Sequence, residues 1–116
     1  MLVRVTTDNH IQGGNDLLRD VESGVTAALH RFGPQITRVE AHLADENSHK
    51  RSDDDKKCTL EARLAGLQPV AATGNGATLD QALASALDKL VALLDHKLGR
   101  LGERKGRPAY GDEVAD

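Results

Sequence analysis

The chain has 116 residues, enough for one domain with a single core, and its 15 Lys+Arg against 18 Asp+Glu leave a net charge of −3. That balance excludes a protein that coats nucleic acid by bulk charge, so an anionic partner must be met by a local patch. With no Trp, one Tyr and one Phe, the core must be aliphatic, and stacking platforms for unpaired bases are excluded. The single cysteine, Cys58, excludes an internal disulfide. There is no signal-peptide core and no apolar run approaching about eighteen residues, so a soluble cytoplasmic protein without a membrane partner is expected.

In chain order, Leu2 to Thr6 is a short β-branched run expected to form a first strand with Val3 and Val5 on one face. Thr7 to Gly14 reads as a loop. From Asn15, a candidate N-cap with Asp16 in the first turn, the residues Leu17, Leu18, Val21, Val25, Ala28, Leu29 and Phe32 keep helical spacing until Gly33 and Pro34 stop it. Thr37, Val39, Ala41 and Leu43 then alternate with Arg38, Glu40 and His42, the period of a half-buried strand. Asp45 to Lys56 is a charged loop, after which Cys58, Leu60, Ala62 and Leu64 alternate with Lys57, Thr59, Glu61 and Arg63. Gly66 and Leu67 suit a reversal, Val70 to Thr73 a short last strand, and Gly74-Asn75-Gly76 a turn into the final helix.

That helix, Thr78 to Leu101, carries the most information. Thr78 and Gln81 stand in a capping-box relation, and Leu79, Leu83, Ala86, Leu87, Leu90, Leu94, Leu98 and Leu101 recur at three- and four-residue steps along one face. At about 100° per residue, Lys89, His96, Lys97, Arg100 and Arg104 fall along one flank, with Asp88, Asp95 and Glu103 on the far side. Such sorting by sign is either a solvated face or a docking edge for something anionic.

The order β-α-β-β-β-α implies an α+β fold in two layers. A right-handed crossover makes the first two strands parallel, turns make the rest an antiparallel meander, and both helices cover one face of the four-stranded mixed sheet. The exposed line Arg19, Ser23, Thr26, His30 is then expected to face the basic flank of the second helix across a groove. Residues 1–101 are expected to form the domain and 102–116 a short flexible tail.

The element order, the glycine turn into Thr78-Leu79-Asp80-Gln81-Ala82-Leu83, and Ala86-Leu87-Asp88-Lys89-Leu90 followed by Leu94 and His96-Lys97 resemble the ribosome hibernation-promoting factor and ribosome-associated inhibitor family, also called the sigma-54 modulation protein family. The resemblance covers roughly residues 2 to 105 and points to a short form, without the second domain by which long members pair ribosomes. It implies a double-stranded-RNA-binding-domain-like fold and a non-enzymatic factor. It also implies docking in the decoding channel of the small ribosomal subunit, with ribosomal RNA met by basic residues on both helices. Carried over by position, those residues are Arg19, His30 and Arg31 in the first helix and Lys89, His96, Lys97 and Arg100 in the second, to which the helical spacing adds Arg104. His96 stands where the family often has lysine, and the first helix offers fewer basic residues than is usual.

The residues argue for a binder over an enzyme. His10, His30, His42, His49 and His96 are scattered without zinc-type spacing, and Asp53 to Asp55 lack the positional acids and turn glycine of a calcium loop. Cys58 shares the core side of its strand with Leu60 and Ala62, where a thiol packs rather than reacts. No cofactor, metal or small-molecule substrate is expected. The alternative is a divergent paralogue acting as a protein-interaction module through a sheet edge or the acidic tail; a weaker one is an enzyme using the histidines or loop acids.

Overall fold

The computed structural model describes residues 1–8, 14–45 and 56–106, with side chains through residue 99. The expected loop acids Asp53 to Asp55, His10, His49 and the residues from 107 onward lie outside that set. Strand β1 (Leu2–Thr7) is followed by helix α1 (Asn15–Leu29), a 3₁₀ segment (His30–Gln35), β2 (Ile36–Asp45), β3 (Lys56–Leu64), β4 (Val70–Gly76) and α2 (Leu79–Gly106). The sheet order is β1-β2-β3-β4, with β1 parallel to β2 and the other two pairings antiparallel. This is the α+β, two-layer arrangement implied by the alternation of the strands and the stripes of the helices.

Alternation decides what is buried. Val39, Ala41, Leu43, Cys58, Leu60, Ala62 and Leu64 face inward with Val70 and Ala72 and meet Val21, Val25 and Leu29 of α1 and Ala82, Ala86, Leu90 and Leu94 of α2. The opposite sheet face carries Arg4, Glu40, His42, Thr59, Glu61 and Ala71 around an open concavity. There Arg38 pairs with Glu40, and Arg63 with Glu61 at 3.5 Å.

Helix α2 runs on to Gly106, five residues past Leu101 and into the segment expected as a tail. The helix starts and the end of α1 differ from the sequence reading in three further ways. Asn15 is the first residue of α1 rather than its cap; Gly14 takes the N-cap place and no side chain caps that end. α1 stops at Leu29, and Phe32 is buried from the 3₁₀ segment, whose Gly33 adopts a φ of 58° that favours glycine. At α2, Thr78 Oγ1 accepts from the Gln81 amide at 3.1 Å as a capping box requires, but Gln81 Oε1 accepts from the amide of Ala77, one residue earlier than expected.

Another difference matters more. Gly74-Asn75-Gly76 is not a turn but the second half of β4, paired with Cys58, Lys57 and Lys56. Gly74 and Gly76 continue the inward series of Val70 and Ala72, and both are buried. The reason is α2. A Cβ on Gly74 would lie 2.3 Å from the amide nitrogen of Ala86 and 2.5 Å from the carbonyl oxygen of Ala82, so helix backbone rests almost directly on strand backbone. Glycine in a strand usually weakens it, and here that loss is offset by a helix approach that no side chain would allow.

Gly74→Ala should therefore destabilise the domain by at least about 1–3 kcal/mol, because the clash is with backbone. Gly99→Ala, in an open position on α2 with nothing near its would-be Cβ, should stabilise it by about 0.5–1 kcal/mol. Leu90→Ala, fully buried at the centre of the helix face, should cost about 2–5 kcal/mol. Urea denaturation midpoints of the three variants check all three signs.

Candidate nucleic-acid interface

Two contacts orient α2 about its axis. Gly24 of α1 packs against Leu83, its would-be Cβ 3.5 Å from Leu83 Cδ2, and Arg31 donates to Asp95 Oδ2 at 2.8 Å. The flank of α2 turned toward α1 is thus the one that carries Asp95. The opposite flank overhangs the free edge of β4. There Lys89 Nζ donates to the Thr73 carbonyl at 3.1 Å and Lys97 Nζ to the Gln68 carbonyl at 3.1 Å.

The sorting of charge along α2 is as the sequence indicates, but its direction is the reverse of the expected groove. Arg19, Thr26 and His30 are exposed, and at about 100° per residue they lie on the side of α1 away from Gly24 and hence away from α2. The structure does not bring them together with Lys89 and Lys97. Which flank of each helix meets the other follows from the contact of Gly24 with Leu83, and nothing in the spacing of charges reveals it.

Of the remaining expected residues, Arg31 is committed to Asp95 and also lies 4.3 Å over the Phe32 ring. Its hydrogen bond to the Asp95 carboxylate raises the Arg31 pKa further, keeping the guanidinium charged. His96 is exposed on α2. Arg100 and Arg104 lie on α2, but their side chains fall outside the described residues. The described helix side chains include the exposed acids Asp16, Asp20, Glu22, Asp80, Asp88 and Asp95 against the bases Arg19, Arg31, Lys89 and Lys97. Two of those four bases, Lys89 and Lys97, lie together on the α2 flank above β4, while Arg19 and Arg31 lie elsewhere.

The sequence reading also missed the partners of that flank, the carbonyls of Gln68 and Thr73. A glycine recurring at the inward positions of a strand was the available signal for close backbone approach. Among the described residues no group of three or more His, Cys, Asp or Glu is placed to hold a metal ion. None of the described helices is long and apolar enough to cross a membrane.

The fold is shared with two solved proteins. A ribosomal subunit interface protein from Coxiella burnetii aligns with a TM-score of 0.62 and 16% identity, covering 85% of this chain and 99% of that one. The N-terminal domain of Protein Y from Thermus thermophilus aligns with a TM-score of 0.63 and 18% identity, covering 84% and 99% respectively. The sequence matches no family model and no curated protein. At these identities the likeness establishes the architecture, and function has to be argued from the surface.

Cys58 is set apart from this surface. It is buried against the helices, and desolvation raises its thiol pKa from 9.0 to about 11. The folded state thus holds the proton more tightly than the unfolded chain. The associated stability is fully present below about pH 9 and is lost as pH rises toward 11. The denaturation midpoint should fall across that interval, and the fall should be smaller in Cys58→Ala; equal slopes in the two proteins would contradict the assignment.

Proposed function

We propose that this chain is a non-enzymatic, ribosome-binding factor that suppresses translation while ribosomes are stored. On this reading it docks in the decoding channel of the small subunit and meets ribosomal RNA through Lys89 and Lys97, with Arg100 joining them at the helical spacing of the sequence. The observation that carries the reading is a fold shared over most of the chain with a protein described as a ribosomal subunit interface protein. The pair of lysines, Lys89 and Lys97, on one flank supports it. A net negative protein approaching RNA must turn one face to the phosphates, and a flank with no acid among its described side chains is suited to that.

The chemistry expected is positioning, not catalysis. Lysine ammonium groups neutralise phosphates without reading bases, and without aromatic side chains on the described sheet face the domain would recognise RNA by its shape. Bound in the channel, the domain would exclude tRNA and mRNA by occupancy. That accounts for inhibition without a reaction.

The exposed acids of the helix layer favour a second reading, in which a protein partner replaces the RNA and the acidic side of α1 and α2 is the contact. The two readings differ in response to salt and to loss of lysine. Replacing Lys89, Lys97 and Arg100 together by Ala should reduce co-sedimentation with small subunits by more than about tenfold at moderate salt, with folding retained because the two described lysines lie outside the core. The dependence of log K on log salt should become shallower by roughly one for each phosphate contact removed. A triple variant that sediments with ribosomes like the parent at several salt concentrations sinks the RNA reading and favours the protein one.

A further inference from the structure

We infer that the outer edge of β4, together with Lys89 and Lys97, is a binding track for a nucleic-acid phosphate backbone, so that RNA lies along the α2/β4 flank and not between the two helices. This rests on the ribosome-binding reading and specifies its surface.

The edge groups can be identified from the ladder. Ala65 N–H donates to the Gln35 carbonyl, and Thr37 Oγ1 to the Arg63 carbonyl, so the odd-numbered residues of β3 turn their backbone groups toward β2. The even-numbered ones therefore bond β4, through the pairs Cys58 with Gly74, Leu60 with Ala72 and Ala62 with Val70. That leaves the N–H and C=O of Ala71, Thr73 and Asn75 pointing away from the sheet. The bond from Lys89 Nζ to the Thr73 carbonyl confirms the direction independently.

An edge strand ordinarily presents alternating donors and acceptors, which invites another strand. Here one of the three outward carbonyls is answered from above, that of Thr73 by Lys89, while Lys97 covers the Gln68 carbonyl just before the strand. What remains toward solvent is the carbonyls of Ala71 and Asn75, the edge amides about 6.8 Å apart, and ammonium groups with hydrogens to spare, so donors outnumber acceptors. A pairing strand needs carbonyls as well as amides, whereas a phosphate accepts only. The spacing of the amides is on the scale of successive phosphates along one strand. Each lysine can keep its carbonyl and still donate to a phosphate oxygen, since an ammonium has three donors. Gly74 makes this possible, because only close seating of α2 brings lysines of that helix to the strand edge.

Removal of one edge donor tests the track. Ala71 is exposed and its amide faces outward, so Ala71→Pro deletes that donor while leaving the ladder to β3 intact. Val5→Pro removes the corresponding outward amide on the opposite edge of the sheet, together with a half-buried side chain packed on the core: Asp8 N–H donates to Leu43, so even-numbered residues of β1 face β2 and the Val5 amide faces out. Affinities for purified small subunits and for protein-stripped small-subunit RNA should fall roughly tenfold in Ala71→Pro and stay near the parent value in Val5→Pro. The Lys89→Ala, Lys97→Ala double variant should lower the salt slope by about two on both ligands.

An isotope-labelled parent titrated with an RNA fragment provides a reading that needs no variant, with the amide signals of Ala71, Thr73 and Asn75 shifting and those of residues 19–26 staying still. If the parent binds subunits but Ala71→Pro binds as well as the parent and the shifts fall on α1, the track is wrong and the ribosome reading survives. Binding to subunits but not to stripped RNA would assign the contact to a ribosomal protein and also overturn the track. A parent that binds neither ligand overturns both.

Discussion

The contact on which the molecule depends is the seating of α2 directly on the backbone of β4. Ala82 and Ala86 of the helix meet Gly74 backbone to backbone, Gly76 lies against Gln81 and Ala82, and both glycines are buried. A helix normally stands off a sheet by the length of its side chains; here it descends onto it. The descent fixes the height of α2, brings Leu90 and Leu94 into the core and carries Lys89 and Lys97 down to the strand edge. Packing and charge placement are thus consequences of one small-residue seam.

The same lysines serve two ends. As an edge guard Lys89 answers the Thr73 carbonyl, which would otherwise attract another strand, a use of lysine common at sheet edges. As cations on a flank with no acid among its described side chains, the two lysines would give an anionic polymer a landing place on the proposed reading. An exposed lysine hydrogen bond stabilises little, so its energetic role in folding is small and the ammonium stays available. On the other side of α2, Asp95 is engaged with Arg31, which ties the helix to the 3₁₀ segment after α1. The helix layer is therefore polar in the electrical sense, acidic toward α1 and basic toward β4, and the chain's net negative charge does not oppose local attraction on the basic side.

Much of the architecture was legible in the sequence because it is written in periods. β2 and β3 alternate cleanly, the leucines of α2 keep helical steps, and the crossover rule leaves a single sensible sheet order for the strands so read. Sign sorting along α2 was equally legible. What was not legible depends on contacts between elements. Spacing along α1 cannot say that Gly24 will meet Leu83, so it cannot say which flank of α1 faces α2, and the line through Arg19 and His30 was expected on the wrong side. Glycine carries no hydrophobic signal, so the inward positions Gly74 and Gly76 resembled a turn although they extend the series of Val70 and Ala72. Phe32 was correctly expected in the core, but Gly33 and Pro34 tighten the chain into a 3₁₀ segment before a continuous helix reaches it.

The central claim is that RNA is met on the α2/β4 flank. Photo-crosslinking of the protein bound to small ribosomal subunits tests it most directly, with a photoreactive side chain placed at Asn75 on the β4 edge in one variant and at Thr26 on the outer side of α1 in another. The account predicts crosslinks to ribosomal RNA from position 75 and little or none from position 26. Strong crosslinking from position 26 with none from position 75 would contradict it.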